Sequence, residues 1–203
     1  MIAIVNYGSG NIEAFANIYK RLNIPHFVAT TAADFSNATK LILPGVGAFD
    51  ETMRILNNSG IVEVLNDLVL VKKMPVLGIC VGMQLLSTVG FEGGECKALN
   101  VVPGKVQKFE EGSNIRVPHV GWNSIKIEND PYGLFDGIAN GSDFYFTHSY
   151  HFVPELKENW MCSTEYGYTF ASAIQKNKII ATQFHPEKSQ DKGLRFLSNF
   201  FSM

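Results

Sequence analysis

The residues with the clearest chemical potential lie at Gly78-Ile79-Cys80-Val81-Gly82. This segment follows an apolar run and opens a helical pattern. A Gly-x-Cys-x-Gly turn between strand and helix is a nucleophile elbow. It strains the central residue and lifts its side chain out of the sheet, while the flanking glycines remove side chains that would clash. The elbow aims the Cys80 sulfur at a helix N-terminus, whose partial positive charge favours thiolate. Taken alone, the pentapeptide fits equally well a structural cysteine between two packing glycines. Cys96 and Cys162 have no comparable surroundings and read as filler.

A cysteine nucleophile needs a base. Of the five histidines, His185 ends an apolar strand and precedes Pro186-Glu187. Residues i and i+2 of an extended chain point to one side, and Pro186 fixes the backbone between them. Glu187 is thereby placed to orient His185 and to stabilise its protonated form, although the tripeptide taken alone fits slightly better a surface turn with an incidental ion pair. An oxyanion formed at the substrate would also need donors. The N–H of Val81 is one, and Pro44-Gly45-Val46-Gly47 supplies backbone with no bulky side chain in the way.

The elements that must carry these residues can be read from hydrophobic period. Ile2–Asn6, Pro25–Ala29, Lys40–Leu43 and Pro75–Ile79 read as strands. Helical patterns run from Asn11 to about Leu22, through Ile55–Val69, and from Val81 to Thr88. Alternating strands and helices predict a doubly wound, mostly parallel α/β sheet flanked by helices. The second half reads as an antiparallel extension. It is strand-like from Val101 to about Ile127, with further strands at Phe144–Tyr150, Thr169–Gln175 and Ile179–Phe184 and a hairpin turn at Asn177. An amphipathic helix from Gln190 to Phe201 closes the chain. A single domain over 1–203 is expected, since 203 residues bury an ample core.

Composition narrows the function classes. Seventeen Lys and Arg against nineteen Asp and Glu give a net charge of -2, without the basic surplus of a nucleic-acid binder. No apolar run reaches membrane-spanning length, and Met1 leads straight into a strand-like run, so a cytoplasmic location is expected. Neither metal-ligand spacing nor a P-loop is visible, and no metal or cofactor is expected.

In combination these segments resemble the class I (triad) glutamine amidotransferases, above all the glutaminase subunits of imidazole glycerol phosphate synthase. The resemblance is carried in order by Asn6-Tyr7-Gly8-Ser9-Gly10-Asn11, Pro44-Gly45-Val46-Gly47, Cys80 with Gly82-Met83-Gln84-Leu85-Leu86, Pro118-His119-Val120-Gly121-Trp122-Asn123, Tyr145-Phe146-Thr147-His148-Ser149-Tyr150 and His185-Pro186-Glu187-Lys188-Ser189. It implies glutamine hydrolysis by a Cys80–His185–Glu187 triad, with Gly45, Val46 and Val81 at the oxyanion. By family position, Gly47, Gln84, Glu92, Ser149 and Tyr150 would bind glutamine, with Glu92 at its α-amino group. Trp122, Tyr145 and Lys188 would face the partner, a (β/α)8-barrel (HisF-like) synthase subunit that takes up the ammonia. The stretch from Ser87 to Glu95 is less acidic than the family's usual one. Related subunits supply a sugar amidotransferase for acetamidino surface glycans, and Asn11–Leu22 resembles that branch. A non-catalytic scaffold of the same fold would lack part of the triad. A peptidase or deglycase would lack the full motif set.

Overall fold

The computed structural model describes residues 1–110 and 115–203. Its first half runs β1 (Ile2–Val5), α1 (Ile12–Arg21), β2 (His26–Ala29), β3 (Lys40–Leu43), α2 (Phe49–Asn58), α3 (Val62–Asn66), β4 (Val76–Ile79) and α4 (Val81–Gln84). Then follow β5 (Val89–Gly90), β6 (Cys96–Lys97), β7 (Gly104–Lys108), β8 (His119–Ser124), β9 (Lys126–Ile127), β10 (Asp143–His148) and β11 (Tyr150–Pro154). The chain closes with β12 (Trp160–Tyr166), β13 (Tyr168–Lys176), β14 (Ile179–Thr182) and α5 (Gln190–Ser202).

The main sheet has the order β2-β1-β3-β4-β14-β13-β12-β9. Strands β2, β1, β3, β4 and β14 are parallel, and β13, β12 and β9 extend the sheet antiparallel. β1, β3, β4 and β14 are buried along their whole length, as continuous apolar runs covered on both faces must be. The charged exception among them is Lys40 on β3. It is buried, and its ammonium donates to the carbonyls of Phe200 and Phe201 at the end of α5. A cation there meets the negative end of the helix. Smaller sheets, β10-β8 and β11-β7-β5-β6, complete the second half. Among the described residues no helix is long and apolar enough to cross a membrane.

Register decides where the site forms. Leu43 on β3 pairs with Gly78 on β4, and Ile79 pairs with Thr182 on β14. The three strands are adjacent, parallel and end at one level. The segments after them, 44–47, 80–84 and 183–187, therefore emerge side by side at the carboxyl edge, where open α/β sheets bind their ligands.

Three expectations need correction. The helix expected over Val81–Thr88 stops at Gln84. The carbonyls of Leu85, Leu86, Ser87 and Thr88 instead accept N–H groups from the 98–102 segment, which ties this stretch into sheet-like structure. The strand expected over Phe144–Tyr150 breaks at Ser149, whose carbonyl accepts the N–H of Phe109. The inward alternation of Phe144, Phe146 and His148 then changes phase to His151 and Phe152, and the chain passes from one small sheet to another. Within the strand-like stretch from Val101 to Ile127, only β7, β8 and β9 form, and residues 111–114 lie outside the described residues. β12 had no expectation at all. Its buried Ser163 and Thr164 disguise an interior strand, and Ser163 is satisfied by Glu128 at 2.7 Å.

Behind Ser149 lies a buried cluster of His119, His148 and His151 around Phe109. The carbonyl of Tyr150 can only accept, so His148 Nδ1 donates to it at 2.8 Å. His148 Nε2 then accepts from His119 Nδ1 at 3.0 Å, and His119 Nε2 accepts from the Asn123 amide at 3.2 Å. The two accepting nitrogens require neutral rings at His148 and His119. Burial agrees: it lowers His119 and His151 to about 4 and drives His148 down as well. The unfolded chain thus binds more protons than the folded one between the ordinary histidine value near 6.5 and about 4. Folding stability is expected to fall as pH drops through that window. Urea unfolding midpoints measured from pH 7 to 5 check this, and a flat series would contradict the neutral cluster.

Candidate active site

Cys80 sits where β4 turns into α4, with φ 54° and ψ -111°. That is left-handed backbone for a residue with a side chain, a strain of about 1–3 kcal/mol held by its surroundings. The surroundings are specific. The Cys80 N–H donates to the Thr182 carbonyl at 2.8 Å, which ties the elbow to β14. A Cβ on Gly78 would lie 2.8 Å from the Gly82 carbonyl oxygen, and one on Gly82 would strike the carbonyl of Leu43. Both flanking glycines are therefore required by close backbone approach. Because α4 is a single turn, the helix-dipole contribution expected at the sulfur shrinks, since the dipole sums over aligned peptides.

His185 and Glu187 arrive on the segment after β14. His185 Nδ1 lies 2.7 Å from Glu187 Oε1, and both side chains are buried at 2% exposure. Two further bonds fix the imidazole's backbone. The His185 N–H donates to the Tyr145 carbonyl, and the His185 carbonyl accepts the Ser189 hydroxyl at 2.6 Å. That same hydroxyl oxygen accepts the Tyr145 N–H at 3.0 Å, so Ser189 clamps the histidine to β10. His185 Nε2 makes no ideal hydrogen bond in this geometry, yet it shares the cavity with the Cys80 sulfur. Burial pulls the His185 proton affinity down. The charge of Cys80 and the hydrogen-bonded Glu187 carboxylate outweigh this and lift the pKa to about 10. The imidazole holds a proton through neutral pH, placed to be handed to a departing amine.

A cavity of about 370 Å³ opens over these groups and includes Gly47, Gln84, Glu92, Ser149 and Tyr150 in its wall. The space suits an amino-acid-sized ligand. Val46 and Val81 line it too. As the first residue of α4, Val81 has an N–H with no intrahelical acceptor. Gly45 packs against the Val81-Gly82 backbone so closely that a Cβ would lie 2.8 Å from the Val81 carbonyl carbon. The Val46 carbonyl is held by the Ser9 hydroxyl at 2.9 Å, and the Tyr7 hydroxyl donates to the Pro44 carbonyl at 2.6 Å. The opening Asn6–Asn11 segment is thus the brace of the 44–47 turn, a role its distance in sequence concealed.

Two glutamine-binding expectations take a different form. One oxygen of Glu92 accepts the Phe49 N–H at 2.7 Å and caps α2, so it is not wholly available to an α-amino group. Burial, only partly offset by this bond, raises the Glu92 pKa. Both amide hydrogens of Gln84 are engaged internally, by the Tyr150 carbonyl at 3.0 Å and by Gln183 Oε1 at 3.2 Å. Gln84 presents to a ligand its carbonyl oxygen, an acceptor suited to an ammonium group. Lys188 also lines the cavity; its ammonium lies 5.7 Å from the Tyr145 ring, and Tyr145 meets Trp122 edge to face at 6.0 Å. Trp122 is 49% exposed, so it is a surface residue rather than a core one.

Residues 4–203 match the family model for glutamine amidotransferase class-I. The chain belongs to the class-I glutamine amidotransferases. Among relatives of this amidotransferase are imidazole glycerol phosphate synthase subunit HisH of Bdellovibrio bacteriovorus, 49% identical, and subunit HisH 1 of Campylobacter jejuni, 46% identical, each matched over 98% of both chains. A solved glutamine amidotransferase superposes with a TM-score of 0.76 at 19% identity, over 100% of this chain and 99% of that one. The structure of PurLQS from Thermotoga maritima gives 0.72 at 12% identity, over 99% and 97%. These structural likenesses establish the fold, with its mostly parallel sheet and flanking helices.

The amidotransferase's Glu187→Gln variant should keep the fold but lower the His185 pKa and reduce kcat for glutamine by about 10²–10⁴, as loss of a triad acid does elsewhere. NMR titration of the imidazole and steady-state kinetics read both. An unmoved His185 titration would show that the carboxylate is not among its stabilisers.

Proposed function

We propose that the chain is the glutaminase subunit of an imidazole glycerol phosphate synthase. His185 takes the Cys80 thiol proton as the sulfur attacks the side-chain amide carbon of glutamine, and the C–N bond breaks as His185 gives that proton to the leaving ammonia. His185 then draws a proton from water, which hydrolyses the thioester to glutamate and restores the thiol. Glu187 holds the imidazole throughout. Backbone N–H groups around Gly45, Val46 and Val81 take the tetrahedral oxyanion, a contribution of roughly 3–4 kcal/mol per donor. Gly47, Gln84, Glu92, Ser149 and Tyr150 hold the amino-acid end of the substrate.

The observation that carries this reading is the buried His185–Glu187 pair and the strained Cys80 in one cavity, whose wall includes Lys188, itself over the ring of Tyr145. Ammonia released to water is protonated and lost to the synthesis, so the product needs a receiving protein. A (β/α)8-barrel synthase making imidazole glycerol phosphate and AICAR for histidine biosynthesis is the partner, in the cytoplasm. Trp122 offers the apolar anchor, since exposed tryptophan is over-represented among binding hot spots. The relatives named above both carry the imidazole glycerol phosphate synthase name, and no feature of the site favours the surface-glycan branch.

Glutamate release is expected to be slow for the isolated glutaminase and fast with a barrel synthase and its nucleotide ligand, and to vanish in Cys80→Ala under both conditions. Equal rates with and without the synthase would remove the partner from the proposal. Turnover by Cys80→Ala would remove the nucleophile.

A further inference from the structure

The mechanism leaves one buried polar side chain at the nucleophile unused. Gln183 is wholly buried between β14 and His185, and its Nε2 lies 3.6 Å from Cys80 Sγ. Buried side-chain amides mostly bond to backbone. Here the orientation is dictated from the other side. The Tyr150 carbonyl accepts both His148 Nδ1 at 2.8 Å and Gln84 Nε2 at 3.0 Å. That anchors the Gln84 amide, whose second hydrogen goes to Gln183 Oε1 at 3.2 Å. With its oxygen committed, Gln183 can turn only its NH₂ toward the sulfur. The amide is thus a fixed donor at the reacting atom.

The Thr147 carbonyl also lies near the sulfur, at 4.0 Å. The two act oppositely. A carbonyl can only accept, so it favours the neutral S–H. A donor favours the anion, because a hydrogen bond to a charged acceptor is about twice as strong as one to a neutral acceptor. When the thiol proton leaves, the Thr147 contact is lost and the Gln183 contact strengthens.

We propose that Gln183 is a catalytic residue that stabilises the Cys80 thiolate through its side-chain N–H, with Gln84 and the Tyr150 carbonyl holding that amide in place. The inference deepens the assignment of Cys80 as nucleophile and rests on it. It also ties substrate binding to reactivity, since Gln84 touches both the cavity and the amide that faces the sulfur.

The test uses the full chain with Gln183→Leu and Gln183→Met, which keep apolar volume and remove the donor. Iodoacetamide modification of the Cys80 peptide is followed by mass spectrometry across pH, beside glutamate release. Loss of one hydrogen bond to a charged group corresponds to about a tenfold effect at its lower end. Alkylation at neutral pH should slow about tenfold, with its pH profile displaced upward and the melting temperature retained. The kcat should fall by a similar factor, with little change in KM. An undisplaced alkylation profile in a folded variant would overturn the proposal. Should both variants unfold, the Gln183 side-chain amide resonance of the wild type decides. A shift that follows Cys80 ionisation supports the contact, and a resonance indifferent to it refutes it. The underlying reading fails separately, if wild-type protein with a barrel synthase releases no glutamate while the Gln183 variants still alter Cys80 alkylation.

Discussion

Everything at the site depends on backbone meeting backbone without side chains between. The Leu43 carbonyl lies against the α-carbon of Gly82, and Gly45 packs on the Val81-Gly82 peptide. Only glycine permits that approach. It brings the turn after β3 within reach of the elbow after β4, while the Cys80 N–H anchors the elbow to β14 on the other side. Any larger residue at Gly82 would push apart the segments that carry Gly45, Val46 and Cys80, the proposed oxyanion cradle and nucleophile. The strained backbone of Cys80 persists because two neighbouring strands specify it from both sides.

Polar groups buried around this junction are kept by bonds that reach across the chain. Ser189 joins β10 to His185, Tyr7 and Ser9 hold the 44–47 turn, and the Tyr150 carbonyl gathers the histidine cluster and Gln84. An unpaired buried donor or acceptor costs about 1–3 kcal/mol, so each of these bonds also enforces the position of its partners. Opposing pKa shifts follow from that design. His185 is driven upward because negative charge faces it, whereas His119, His148 and His151 are driven downward because they are buried among neutral acceptors and aromatic rings. One histidine keeps a proton for chemistry and three refuse one for packing.

The parallel half of the fold was legible because its central strands are continuous, mostly apolar runs with glycine or proline close by. β1, β3 and β4 fall within a residue of where Ile2–Asn6, Lys40–Leu43 and Pro75–Ile79 placed them. The antiparallel half was less legible. β12 carries buried Ser163 and Thr164, and Ser149 breaks a run that keeps strand propensity on both sides. The Ser163 hydroxyl is satisfied by Glu128, 35 residues away, and a one-dimensional pattern does not record such a partner.

The sequence by itself determined the chemistry available at the site. Gly-x-Cys-x-Gly and His-Pro-Glu are local patterns, and local backbone geometry sets what each can do. It also determined that strands and helices alternate, and hence that the elbow would stand at a sheet edge. Only the tertiary structure decided what reaches the sulfur. The adjacency of β3, β4 and β14 made Gly45, Cys80 and His185 neighbours across more than a hundred residues of chain. It turned one oxygen of Glu92 to the start of α2, gave Asn6–Asn11 a bracing role and set Gln183 against Cys80. Those contacts depend on strand order and register, which arise from packing the whole sheet at once.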